Sequence, residues 1–137
     1  MLRMTEHANE KTMLTKNERL ILESLSQAET PQSAYDLLDS VRDQGIRAPA
    51  QVYRALSGLM SKHLIHRIDS SNTYLCCQKP SHEHPNAICL AICDECQQVT
   101  ELDGVRIGDQ LEEYAKASGF ESKLTSVELR GLCAKCH

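Results

Sequence analysis

Tryptophan is absent from this chain and phenylalanine occurs once. Any core must therefore be built from aliphatic side chains. No stretch approaches the roughly 18 consecutive apolar residues that a membrane span needs. The N-terminal MLRMTEHANEKT carries no apolar run of the signal-peptide kind. These two absences point to a cytoplasmic protein that does not engage the membrane. An overall positive charge is missing as well: the formal net charge is −4. The 137 residues suffice for one ordinary domain or two small ones. Two small domains would each have a thin core, which favours a metal staple or dimerisation.

What the chain does have is cysteine, seven in all. In a reducing cytoplasm, C-x-x-C pairs read as metal-binding or redox motifs before disulfides. An odd count excludes a fully paired disulfide framework. The charge is also unevenly spread. Residues 1–77 carry nine Lys and Arg against nine Asp and Glu, whereas residues 78–137 carry six against ten. Within the neutral half, over the 26 residues 42–67, Arg42, Arg47, Arg54, Lys62 and Arg67 face a single acid, Asp43. A local basic face of this kind is the electrostatic footprint of a DNA binder.

The apolar spacing predicts a helix from Thr15, with Leu14, Ile21, Leu25 and Ala28 on one face and Pro31 just beyond its end. Ser33, with Asp36 three residues on, has the form of a capping box. It opens a helix over Ala34 to Asp43 that turns Leu37, Leu38 and Val41 inward and ends at Gly45. Pro49 leads a third helix, Ala50 to Lys62, in which Val52, Leu56, Leu59 and Met60 share a buried face and Arg54, Ser57 and Ser61 lie opposite. Residues 64–68 and 73–77 then flank Asp69-Ser-Ser-Asn72 as a hairpin. Three helices and a hairpin make a winged helix-turn-helix, whose third helix is the one that enters a major groove. Residues 78–86, with Pro80 and Pro85, form a hinge. Beyond it the pattern is strand (Ala87 to Ile92), strand (Gln97 to Leu102), helix (Val105 to Ser118, with Ile107, Leu111 and Ala115 inward) and strand (Phe120 to Leu129). The fold class is thus α+β: a winged-helix DNA-binding domain over 1–77, a hinge over 78–86 and a small α+β dimerisation and metal-binding domain over 87–137. Edge strands in that second domain invite a second copy, hence a homodimer.

Cys93, Cys96, Cys133 and Cys136 form C-x-x-C…C-x-x-C. Two thiolate pairs on adjacent turns complete a closed tetrahedron around Zn²⁺, and closed sites of this kind are structural rather than catalytic. A redox role would place the pair at a helix N-terminus; here acids lie between Cys93 and Cys96, and strands lie on both sides. A second set of donors, His66, Cys76, Cys77, His82, His84, Cys89 and Glu101, lies around the wing, the hinge and the strands that follow. A site drawn from both sides of a hinge would couple metal occupancy to domain orientation. Its mixed nitrogen, sulfur and oxygen donors suit zinc, whereas hard cations would not select a cysteine. An enzyme would need an open zinc position and a nearby base; Glu101 is available, but the His-x-Glu…Pro-Cys-x-x-Cys order of the zinc deaminases does not occur.

ValTyrArgAlaLeu (52–56), the winged hairpin, a His-bearing linker and the two C-x-x-C pairs together resemble the ferric-uptake-regulator family over roughly residues 14–136. SerAlaTyrAspLeuLeu (33–38), HisArgIleAspSerSerAsnThrTyr (66–74) and GlyLeuCysAlaLysCys (131–136) are similar to its zinc-responsive branch. The resemblance implies a homodimeric repressor, not an enzyme, that binds pseudo-palindromic double-stranded operator DNA when zinc is bound and shuts off zinc-uptake genes. It implies one structural zinc per monomer, on Cys93, Cys96, Cys133 and Cys136. It further implies at least one regulatory zinc on His66, Cys77, a linker histidine and Glu101. His84 suits the linker position by its distance from Cys77, with His82 as the alternative, and Cys76 as the alternative to Cys77. DNA contacts map to Tyr35 and Arg54, with Tyr53 in the motif beside it. An Arg on the outer face of the third helix suits guanine O6/N7 or another purine edge. The iron branch carries a His-His-x-His cluster before its first C-x-x-C. Here Cys89 occupies that space and His82-Glu-His84 lies upstream, which favours zinc over an iron- or peroxide-responsive relative.

Overall fold

The computed structural model describes residues 13–78 and 87–137. The described chain divides into two compact units between Cys76 and Cys77. Cys77 thereby falls with the second unit, one residue short of where the sequence reading closed the first domain.

The first unit opens with α1 (Lys16–Gln27). Its start is set by a capping box absent from the sequence reading: Glu18 N–H donates to the Thr15 hydroxyl, and Thr15 N–H donates to the Glu18 carboxylate. The expected Ser33/Asp36 box opens α2 (Ala34–Val41). A 3₁₀ turn, Arg42–Gln44, follows, and the chain reverses at Gly45 with φ 105°, a conformation that favours glycine. Pro49 is the first residue of α3 (Pro49–Ser61), where its missing N–H costs nothing. The antiparallel hairpin β1 (Ile65–Ile68) and β2 (Thr73–Cys76) completes the wing. Its register is pinned back to the helices by paired backbone bonds between Gln32 and Tyr74.

Ile21, Leu37, Val52, Leu56 and Leu59 are fully buried in one cluster with Ile46. That cluster is aliphatic except at Tyr74, which is 4% exposed. The expectation of a purely aliphatic core is corrected at that residue: an aromatic on β2 is buried within the cluster of helix side chains.

The second unit is a three-stranded sheet in the order β4-β3-β5. Strand β3 (Ala87–Cys93) is central; β4 (Val99–Leu102) pairs with it antiparallel and β5 (Thr125–Gly131) pairs parallel. Helix α4 (Val105–Ala117) makes the crossover to β5. Its first turns press close to the start of β3: a methyl group on Gly108 would stand 2.7 Å from Ala87 Cβ. The last strand begins at Thr125, not at Phe120. Phe120 N–H is bonded to Ala115 C=O, and Gly119 N–H to Lys116 C=O, so the chain is still completing the helix end where a strand was expected. The inward face expected of α4 is only half covered, with Ile107 37% and Leu111 38% exposed.

Candidate metal centre and nucleic-acid interface

The two C-x-x-C turns meet at one end of the sheet. Cys93 ends β3, and Gln97, in the left-handed region at φ 66°, lets the chain reverse into β4. Asp94 N–H bonds Gly131 C=O at 2.8 Å, and Arg130 Nη1 bonds Asp94 Oδ1 at 3.1 Å, so the end of β5 is tied to the first turn. The parallel register Cys93↔Gly131 then carries Cys133 and Cys136 to the same place. The four sulfurs lie within 4.8 Å of one another. Cys96 Sγ and Cys133 Sγ are 3.8 Å apart. Four sulfurs each about 2.3 Å from a tetrahedral Zn²⁺ would stand about 3.8 Å from one another, so the spacing has the size of that ion.

The protonation pattern fits the same use. Backbone N–H groups of Cys96 and Cys133 point at Cys93 Sγ, at 3.5 and 3.4 Å, and bring its pKa down to about 6. Cys136 is pushed up to about 12, first by its hydrogen bond to Cys133 and then by burial. At Cys96 the Gln98 N–H favours the thiolate, but the hydrogen bond to Cys93, burial and the Cys133 bond outweigh it, so its pKa is raised. The raised thiols of Cys96 and Cys136 hold their protons until a cation replaces them, which is what soft divalent metals do.

The second donor set is distributed as follows. His66 lies on β1 of the first unit, opposite Leu75. Cys76 ends β2, and its thiol contacts Leu22 C=O within the first unit; burial raises its pKa. That thiol is thereby engaged within the first unit. In the second unit, Cys77 Sγ stands 3.9 Å from Glu101 Oε2. Cys89 is buried in the central strand, its thiol pKa raised by burial, and it joins no donor cluster among the described residues. His82 and His84 lie outside the described residues.

On the first unit, Arg54 is exposed on α3, with Tyr53 40% exposed beside it and Tyr35 63% exposed at the start of α2. The basic stripe of the sequence reading is thinner in three dimensions. Arg42 pairs with Asp39, Arg67 with Asp69, and Lys62 with Glu18 at 2.6 Å. Arg47 and Arg54 have no acidic partner among the described residues. Sequence reasoning missed Glu18 as the partner that takes up the Lys62 charge. It is only 7% exposed, and its carboxylate serves both Thr15 and Lys62. The signal was there in Thr15-x-x-Glu18, since a capping-box acid also faces the next turn.

The sequence profile described as Ferric uptake regulator family matches residues 9–130. The chain belongs to the ferric uptake regulator family. As a member of that family it is a regulator and not an enzyme. It is 33% identical over 133 residues to the zinc uptake regulation protein of Escherichia coli (strain K12), covering 94% of this chain and 75% of the relative. The Shigella flexneri protein of the same name gives the same figures. Among solved structures, holo XcZur superposes with a TM-score of 0.86 at 36% identity, over 97% of this chain and 94% of that one. A zinc uptake regulator complexed with zinc and DNA superposes with a TM-score of 0.84 at 32% identity, over 93% of this chain and 85% of that one. The α+β class and the winged helix of the sequence reading hold across these family members.

Proposed function

We propose that this chain is a zinc-responsive transcriptional repressor that binds operator DNA as a homodimer when loaded with zinc and thereby represses zinc-uptake genes. The observation that carries the reading is the Cys77–Glu101 pair, a thiol and a carboxylate 3.9 Å apart in a chain whose relatives are zinc uptake regulators. A thiol donor selects zinc over the harder iron and manganese ions. In this reading Cys93, Cys96, Cys133 and Cys136 hold a structural zinc that fastens β5 to β3. His66, Cys77, Glu101 and a hinge histidine, His84 rather than His82, hold the regulatory zinc. Because His66 and Cys77 belong to different units, zinc would bind one arrangement of the units better than others and shift the population toward it.

Tyr35, Tyr53 and Arg54 contact the operator. The second copy is supported by the apolar surface of the second unit, where Tyr114, Phe120, Leu124, Leu129 and Leu132 are all at least half exposed. The experiment is zinc-dependent binding of a labelled operator by fluorescence anisotropy. Cys77→Ser is expected to remain a folded dimer that keeps its tight zinc and loses zinc-dependent DNA binding. Unchanged binding would remove Cys77 from the regulatory site.

A further inference from the structure

Gln78 follows Cys77 and makes three hydrogen bonds to β4. Its side-chain Oε1 accepts from Glu101 N–H at 2.7 Å. Its Nε2 donates to Val99 C=O at 3.0 Å. Its own backbone N–H donates to Glu101 Oε1 at 2.8 Å. Strand β4 is an edge of the sheet, so among the described residues the N–H of Glu101 and the C=O of Val99 have no strand beside them. One residue of a parallel neighbour would bond the carbonyl one position before Thr100 and the N–H one position after it. The Gln78 carboxamide does the same with a single side chain. It adds a pseudo-strand to the edge and fixes the register between residue 78 and residue 101. The consequence falls on the two residues next to it: Cys77 Sγ is brought to 3.9 Å from Glu101 Oε2, although 24 positions separate them in sequence.

We infer that Gln78 is a positioning residue of the regulatory zinc site, setting zinc affinity by holding the Cys77 thiol and the Glu101 carboxylate together before the ion arrives. The inference rests on the regulatory reading above. Glu101 carries two loads, one oxygen taken by Gln78 N–H and the other turned to Cys77. A carboxylate oriented by such an outer bond binds metal better than a freely rotating one, and loss of such a partner costs roughly 10–100-fold in affinity.

The test is a Zn²⁺ titration of the full chain against a competing chelator, resolving the tight first equivalent from the second. Gln78→Met keeps the volume but removes both side-chain bonds, and with them the register that holds the residue-78 N–H against the Glu101 carboxylate. It is expected to weaken the second equivalent about 10–100-fold and leave the first unchanged. The unchanged first equivalent also reports that the second unit is folded. Gln78→Asn, one methylene too short to span both edge groups, is expected to lose as much. Placed in a Glu101→Ala chain, Gln78→Met is expected to cost nothing further. A second equivalent that is unaffected in Gln78→Met but abolished by Cys77→Ser overturns the inference and leaves the regulatory site standing. Additive losses in the double variant also overturn it, since Gln78 would then act other than through Glu101. A Cys77→Ser chain that still takes the second zinc at full affinity overturns the regulatory reading and the inference together.

Discussion

Arg54 and Lys62 lie on the same helix or at its end, carry the same charge and are engaged differently. Lys62 Nζ reaches Glu18 Oε1 at 2.6 Å and Met13 C=O at 2.9 Å, so its charge is used inside the unit. The Arg54 guanidinium projects from α3 with no acid to neutralise it among the described residues. Its planar fork can bond two acceptors of a purine edge at once, which an ammonium cannot do. Arg54→Ala is therefore expected to weaken binding to the cognate operator by roughly 1–3 kcal/mol and to relax preference at one base position. Anisotropy titrations on operator and on random duplex at the same salt separate the outcomes. An equal loss on both would make Arg54 a phosphate contact. Spacing along α3 was enough to identify Arg54 as outward-facing. The capture of Lys62 was not legible, because its partner lies 44 positions away on another helix.

At the scale of elements, the question is what keeps α3 in place while its outer face stays exposed. Apolar packing supplies most of it, through Val52, Leu56 and Leu59 against Ile21 and Leu25. The Glu18–Lys62 pair adds a directional tie between α1 and the end of α3. The helices approach closely there: a methyl group on Gly58 would collide with the Glu18 carboxylate. Burial on its own raises the Glu18 pKa. The Lys62 hydrogen bond and the Thr15 N–H outweigh it, and the net pKa lies below the usual carboxylate value. A depressed folded pKa contributes stability that is present above the unfolded pKa and lost as pH falls through the folded one. Glu18→Gln should thus lower stability at neutral pH by roughly 1–3 kcal/mol, and the difference from the parent should shrink under acid conditions below the usual carboxylate range. Thermal melts of both proteins at neutral and acid pH check this. A gap that persists at low pH would assign the loss to packing instead of charge.

For the whole molecule, a zinc held by the four-cysteine cluster would decide whether the second unit is a stable body. Its sheet has only three strands, and the helix over it leaves Ile107 and Leu111 more than a third exposed. So thin a core needs a further constraint. Cys96→Ser should release the tightly held zinc and leave a chain that is monomeric or unfolded, because opening a closed site removes folding free energy with the metal. Zinc content by elemental analysis and mass by analytical ultracentrifugation report both. A zinc-free mutant that remains a folded dimer would show that the cluster does not hold the unit together.

Much of this protein was determined by sequence alone, wherever the physics is local. Ser33-x-x-Asp36 starts a helix in any context that permits one, Pro49 suits a first turn, and two C-x-x-C pairs place four thiols on two tight turns. The apolar period of α3 separated Leu56 from Arg54 with no knowledge of what lies beneath. The tertiary structure decided whatever depends on distant partners. It gave Lys62 to Glu18 and turned Cys76 toward Leu22, which left Cys77 as the thiol beside Glu101. It drew Tyr74 into an otherwise aliphatic core, and it delayed β5 to Thr125 because the end of α4 was still using the backbone of Phe120. Gln78 is the extreme case: nothing in its neighbours along the chain distinguishes it, and only the open edge of β4 gives its amide a purpose. Periodicity and capping act over a few residues, whereas an unpaired strand edge or a buried charge acts on whichever side chain the fold brings within reach.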